Sequence, residues 1–313
     1  MKERPSVEIA RIIGQPLDVN FPVSVELLEI CNIQPVLPAG ERAYVYTDAG
    51  DLNGVDTIYI SGADGEIVPV KVELSGVTEI DFAYLQTKLE YVLVQELAES
   101  PDQLALARRK SSMSRAMDKE ELKRCLALIL SQNGSTGTND QQVVRTTGED
   151  IYDLIVAMVR KIENYATDYV LLAGTTAYRE IEDYDKTMAS GTFEYAVPIK
   201  QMLADRGIKL IRVFESVKLD NSSDDPILAV DKLILVGRNS KIINGEKPIV
   251  FCRRAVRSIV NSGTVDTQER ALYVADVPTV IDTNKMIHAY GVFSFESFTL
   301  ALTNYRATCW ATA

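Results

Sequence analysis

Histidine occurs once in this chain, at His288. A Ser-His-Asp or Cys-His scheme needs its base near a nucleophile motif, and a multi-histidine zinc site needs more than one ring. Neither requirement is met, so His288 is expected to be a structural or surface residue. Cysteine is sparse as well. Cys31, Cys125, Cys252 and Cys309 lie too far apart for a Cys-x-x-Cys metal or redox pair and read as buried thiols of a reducing compartment. No stretch approaches the roughly 20 apolar residues of a membrane span, and no apolar run of signal-peptide length follows Met1-Lys2-Glu3-Arg4-Pro5. Synthesis in the cytosol with no membrane partner is therefore expected. Positive charge is also in deficit, with 33 Lys and Arg against 44 Asp and Glu and a net charge of -11. Such a field repels phosphate backbones, so any contact with nucleic acid has to be local.

The remaining chemical signatures fail on inspection. Gly134 to Thr138 has the glycines of a phosphate-cradling loop but neither the lysine nor the preceding apolar strand, and it reads as a flexible connection. Acidic pairs such as Glu180/Asp183 and Asp224/Asp225 are expected by chance in so acidic a chain. None has calcium-loop spacing, and they read as solvated faces. No catalytic residue, metal or cofactor is expected.

What is present is an order of elements. With 313 residues, 46% of them hydrophobic and 25% charged, the chain can bury a sizeable core as one large domain or two smaller ones. Apolar clusters before residue 40 are broken by Pro16, Pro22, Pro35 and Pro38, which suits an extended arm. Alternating strands follow at 43–47, 55–60 and 67–74, separated by turn formers. Asp64-Gly65 makes a hairpin turn, and Pro69 puts its strand at an edge. Phe82, Leu85, Leu89, Val92, Leu93 and Leu97 recur at helical spacing. Ser100-Pro101-Asp102-Gln103 gives a second helical start and Asp118-Lys119-Glu120-Glu121 a third, so the spacing allows one long interrupted helix or two to three short ones.

The Gly/Ser/Thr loop at 131–138 is the best boundary. Beyond it Thr147 is expected to cap a helix with the apolar face Ile151, Leu154, Ile155, Met158, Val159, Ile162 and Tyr165. A buried strand at 169–174, helices at 178–184 and 199–205, and strands at 209–214 and 232–237 come next. The remainder, at 248–253, 270–275 and 289–308, reads mostly as strand.

One basic cluster departs from the acidic background: Arg108, Arg109, Lys110, Arg115, Lys119, Lys123 and Arg124. It is a candidate surface for a neighbouring subunit or for phosphates. The hairpin is the second candidate interface, through Tyr44, Tyr46, Ile58, Tyr59, Asp64, Gly65, Val68 and Val70, because an edge strand outside a core offers unpaired backbone to another chain.

Arm, hairpin, long helical region and α/β body, in that order, resemble the tailed-bacteriophage major capsid proteins of the Hong-Kong-ninety-seven-type fold. Local forms agree. Tyr169-Val170-Leu171-Leu172-Ala173-Gly174-Thr175-Thr176-Ala177-Tyr178 is similar to the family's strand, glycine and short helix. Residues 209–214 and 232–237 resemble its paired strands, and Ala289-Tyr290-Gly291-Val292-Phe293 with Asn304-Tyr305-Arg306-Ala307 its closing strand. The resemblance implies an α+β fold with an N-terminal arm (1–40), an extended β-hairpin loop (41–79), a spine helix region with a connecting loop (80–146) and an α/β body (147–313) of interlocked peripheral and axial domains. It implies a non-catalytic subunit of an icosahedral virion capsid, made in the host cytoplasm and assembling as pentamers and hexamers around double-stranded DNA. A separate scaffolding protein, a portal and a decoration protein are its implied partners. An encapsulin-like nanocompartment shell, and a phage-derived protein of rings or tubes, are alternatives. A two-domain α/β enzyme or ligand-binding protein is another, and its site would fall at strand ends such as Gly174 or Gly237.

Overall fold

Apolar runs that do not alternate need cover on both faces of their sheet, and the computed structural model supplies it. The structure describes residues 23–38, 40–46, 77–87, 90–93, 104–131, 141–190, 198–220, 223–241, 246–257, 267–268, 270–282 and 285–313. A five-stranded sheet runs in the order β6 (Gln142–Val143), β17 (Thr308–Thr312), β11 (Lys232–Ser240), β7 (Ala166–Ala173), β8 (Ile208–Arg212). Its two outer pairs are parallel and its inner ladders antiparallel. Alternate residues divide between two cores. Leu171, Ala173, Leu233, Leu235, Cys309 and Ala311 pack with α3 (Ile151–Ile162), α4 (Thr175–Ser190) and α5 (Ile199–Asp205). Val170, Leu172, Ile234, Val236 and Trp310 face the other way, onto α1 (Val25–Ile30) and α2 (Leu104–Ser131).

The second sheet is organised by one long strand, β16 (Lys285–Leu302). Its C-terminal part pairs with β12 (Ile249–Arg254), which in turn pairs in parallel with β1 (Cys31–Ile33). Its N-terminal part pairs with β15 (Arg270–Asp282), and its other edge takes β4 (Ala83–Gln86) and β5 (Glu90–Leu93). Three short antiparallel pairs complete the described strands: β2 (Ala43–Tyr46) with β3 (Val77–Ile80), β9 (Ser216–Asp220) with β10 (Ser223–Pro226), and β13 (Val256–Arg257) with β14 (Thr267–Gln268). Phe251 and Phe298 of this sheet share a core with Leu122, Cys125, Leu126 and Ile129 of α2 and with the apolar side of the five-stranded sheet. The long helix is thus packed between the two sheets. No helix among the described residues is long and apolar enough to cross a membrane.

Several local expectations are corrected. The 82–97 stretch is not helical where it is described, because 83–86 and 90–93 are strands on β16. Phe82, Leu85, Leu89 and Val92 fit a helical stripe by spacing alone. Tyr84 and Tyr91 favour strand, and the long partner edge decides the conflict. The helix described in this region, Leu104–Ser131, is unbroken, so Asp118 starts nothing, and the start expected at Ser100-Pro101-Asp102-Gln103 lies outside the described residues. Residues 23–37 do not form a free extended arm: Leu27, Ile30 and Cys31 are fully buried, and the chain continues alongside β12 as far as Leu37. The cap of α3 is Asp150, whose Oδ1 accepts from the Asp153 amide at 2.9 Å, while Thr147 and Gly148 form the preceding turn. The closing stretch is two strands in two sheets, β16 and β17, parted by a 3₁₀ turn at Tyr305–Ala307. The Asn304 side chain caps that turn by accepting from the Arg306 amide and donates to Ser240 Oγ at 3.0 Å.

Candidate functional site

The basic cluster lies on α2, and the structure divides it. Lys119 pairs with Glu215 at 3.3 Å and donates to the Ser216 carbonyl. Lys123 pairs with Asp225, so both lysines tie the helix to the β9–β10 pair. Arg124 bonds Glu120 one turn back at 3.1 Å, with its guanidinium 5.8 Å from the Phe298 ring centroid. These three charges are compensated within the chain. Arg115 is exposed. Arg108, Arg109 and Lys110 fall in the second turn of the helix. Of the acidic pairs, Glu180 meets Arg145 at 2.8 Å and Asp225 meets Lys123, which gives two of the expected solvated carboxylates specific partners.

Beside Arg115 and Lys119 opens a groove of about 220 Å³ between α2, the segment entering α1 and the turn after β8. Its walls mix cations (Arg115, Lys119, Arg212), carboxylates (Glu26, Asp118, Glu215) and apolar side chains including Leu122 and Val213. Phe214 stands at its edge, 63% exposed, with the Arg212 guanidinium 4.8 Å from its ring centroid.

Of the hairpin candidates, Tyr44 and Tyr46 lie in β2, opposite Glu79 and Val77 of β3. Ile58, Tyr59, Asp64, Gly65, Val68 and Val70 lie outside the described residues, as does the 132–138 loop. Next to this ladder Arg254 bridges to the sheet. It donates to the Tyr84 hydroxyl at 2.6 Å, the Glu41 carbonyl and Ser297 Oγ, and its guanidinium lies 4.3 Å from the Phe82 ring centroid. Tyr84 stacks on Phe295 with ring centroids 5.6 Å apart.

Behind the groove, where α2 crosses the six-stranded sheet, is a buried ionic cluster that sequence reasoning missed. Arg253 of β12 makes a two-pronged bond to Glu121, Nε to Oε1 at 2.9 Å and Nη2 to Oε2 at 2.8 Å. Arg270 of β15 donates to Glu296 of β16 through Nε, reaches Asp118 at 2.7 Å and Glu121 at 3.3 Å through Nη2, and bonds the Ser114 hydroxyl at 3.0 Å. Burial pushes the Glu296 carboxyl up to about 7, reinforced by the Glu121 charge and opposed by Arg270 and Arg253. A signal was available. Met113, Met117 and Glu121 recur every four residues on the buried face of α2, so the glutamate occupies an apolar stripe and requires a buried cation.

Of the two positions expected at strand ends, Gly174 does follow β7, whereas Gly237 lies inside β11, paired with Tyr169. A Cβ at Gly174 would lie 2.3 Å from the Ala229 carbonyl oxygen, and one at Gly237 would lie 2.1 Å from the Ala166 Cβ. The first amides of α4 already donate to the Val230 carbonyl, Thr176 at 2.8 Å and Ala177 at 3.1 Å. Neither position leaves room for a Cβ.

No protein-family model matches the sequence, and neither does any curated protein. Solved structures do. The chain is similar to one from the holo-SrpI encapsulin complex of Synechococcus elongatus PCC 7942, with a TM-score of 0.51 and 14% identity over 98% of this chain and 94% of that one. It is similar to one from the capsid of cyanophage P-SCSP1u, with a TM-score of 0.51 and 8% identity over 96% and 91% of the two chains. A chain of Gordonia phage Cozz gives 0.51 and 12% identity over 90% and 84%. Identities this low speak to fold alone. The chain has the phage major-capsid-type α+β fold that encapsulins also adopt.

Proposed function

We propose that the chain is a shell subunit: a non-catalytic major capsid protein that assembles through pentamers and hexamers into the icosahedral shell of a virion, around double-stranded DNA. The carrying observation is the end-to-end match to a phage capsid chain, 96% of this chain against 91% of that one. In this reading residues 1–40 act as an arm whose later part, 23–37, is docked on the body, 41–79 as an extended hairpin loop, 80–146 as the spine region preceded by the two strands on β16, and 147–313 as the α/β body. The β2–β3 ladder would be the base of the loop, since Ala43 pairs with Ile80 and Tyr46 with Val77, leaving residues 47–76 between its ends. Its edge strands would be buried by a neighbouring copy. A scaffolding protein, a portal and a decoration protein would join the shell, and synthesis would take place in the host cytoplasm. A second reading is supported by the encapsulin chain, which matches at the same TM-score over 98% of this chain: a nanocompartment shell around a protein cargo.

Light scattering after size exclusion, with negative-stain electron microscopy of the same fraction, tests both. Closed shells from the native source that hold nuclease-protected double-stranded DNA establish the capsid. Closed shells that hold protein and no DNA establish the nanocompartment. A clean monomer or dimer that stays unassembled even with its neighbouring gene products rejects both.

A further inference from the structure

Five charged side chains are shut together where α2 meets the six-stranded sheet: Asp118 and Glu121 from the helix, Arg253 from β12, Arg270 from β15 and Glu296 from β16. Three carboxylates face two guanidiniums. Arginine keeps its charge in any protein environment, so among the described residues these five side chains, fully ionised, carry one net negative charge. Glu121 and Glu296 are fully buried and Arg253 and Arg270 nearly so, which makes that excess charge costly. The other charged groups described on these elements have their own partners or lie toward solvent. Lys119 pairs with Glu215, Lys123 with Asp225 and Arg124 with Glu120, Arg254 bonds Tyr84, and Arg115 lines the groove. Uncharged neighbours complete the wall: Ser114, Met117, Ser294, whose hydroxyl lies 3.3 Å from Met117 Sδ, and Leu85 of β4, which stands opposite Glu296 in register.

Asp118 Oδ1 faces Arg270 Nη2 as an ion pair at 2.7 Å, whereas one oxygen of Glu296 has an unused bonding position. Glu296 Oε2 accepts from Arg270 Nε, whereas Oε1 has no hydrogen-bond partner among the described residues. We propose that the cluster is a proton-binding site, with the proton carried on Glu296 Oε1, and that gain or loss of this proton sets how tightly α2 is held to the sheet. With the proton bound, two carboxylates balance two guanidiniums. Once it leaves, the Glu296 charge faces that of Glu121 across the junction and pushes the helix from the strand. Water reaches the edge of the cluster without unfolding, because the Asp118 side chain is 28% exposed and lines the groove.

The burial-driven rise of the Glu296 carboxyl from 4.5 to about 7 agrees with this assignment and fixes its direction. A carboxyl that binds its proton more tightly when folded contributes stability that is complete below its unfolded value and is lost as pH climbs through about 7. The inference depends on the fold and is independent of whether the chain builds a shell, and its test reads a single carboxyl in the full-length protein.

Infrared difference spectra of the wild type, Glu296→Gln and Glu121→Gln across the range around pH 7 provide that test. The expected result is a buried protonated-carboxyl band in the wild type that disappears as pH rises and is absent in Glu296→Gln. In Glu121→Gln the band should vanish at lower pH, since one repelling charge is gone. In parallel, the wild-type melting temperature should fall as pH rises from about 4.5 to about 7 and level off above it, with the Glu296→Gln profile lacking this component. A band that persists in Glu296→Gln, or melting profiles that run parallel, overturns the proposal. Should Glu296→Gln fail to fold, an unmoved midpoint in Glu121→Gln overturns it equally.

Discussion

Gly174 joins β7 to α4 at a place where the Ala229 and Val230 carbonyls occupy the space a Cβ would need. The obstacle to a side chain is backbone, and the same Val230 carbonyl accepts the first amides of the helix, so neither partner yields cheaply. Gly174→Ala is therefore expected to cost about 1–3 kcal/mol or more, the range of overpacked sites, read as a shifted urea midpoint with the fold retained or as loss of soluble protein. The thiols give a second check. All four cysteines are buried, and burial pushes Cys309 up to about 12 and holds Cys31 well above the ordinary thiol value, with Cys125 only 3.5 Å away. A disulfide reagent at mildly alkaline pH should label none of them in the native protein and all four after denaturation. Rapid native labelling would contradict the packing of both cores. That these cysteines are structural was legible from their spacing. The contact of Cys31 with Cys125 was not, because 94 positions separate them and only the docking of β1 beside α2 brings them together.

The helix α2 shows why some elements could be read and others not. Its second half, with Leu122, Cys125, Leu126 and Ile129 fully or nearly buried, has the apolar stripe that spacing detects. Further back the same face carries Glu121 and Asp118, which break the pattern and imitate a helix start. The segment stays continuous because arginines from two strands of the sheet meet those carboxylates, a fact of tertiary structure. Strands β4 and β5 failed in the opposite sense: a spacing that suits a helix was overridden by the exposed edge of β16. The α/β body was more legible, since runs such as 169–174 and 232–237 belong to a sheet covered on both faces and announce themselves by lacking alternation. Because Leu126 lies in the core that both sheets share, Leu126→Ala should cost about 2–5 kcal/mol and lower a single cooperative transition. Two separate transitions, only one of them shifted, would show that the sheets fold independently of the helix between them.

For the whole molecule the question is which charges remain for contact between copies once internal pairing is complete. Lys119, Lys123 and Arg124 are committed within the chain. Lys119→Ala with Lys123→Ala should thus leave assembly intact and cost no more than about 1 kcal/mol per pair, as for partly exposed ion pairs. Arg108, Arg109 and Lys110 are placed differently. They sit in the second turn of Leu104–Ser131, away from the C-terminal end where the helix dipole favours cations, so the dipole gives no reason for three of them in a row. A chain of net charge -11 repels its own copies, and a short basic stretch is one means of bringing two of them together. Replacing all three with glutamate keeps good helix formers in the segment while reversing the proposed contact. The variant is expected to keep the wild-type circular dichroism and melting temperature, and to lose at least about tenfold in particle yield, an effect equivalent to about 1.4 kcal/mol per subunit contact. The triple glutamine variant separates loss of attraction from added repulsion, and should fall between wild type and glutamate. Undiminished particle yield from the glutamate variant would remove this stretch from the assembly surface and leave the β2–β3 hairpin as the remaining candidate.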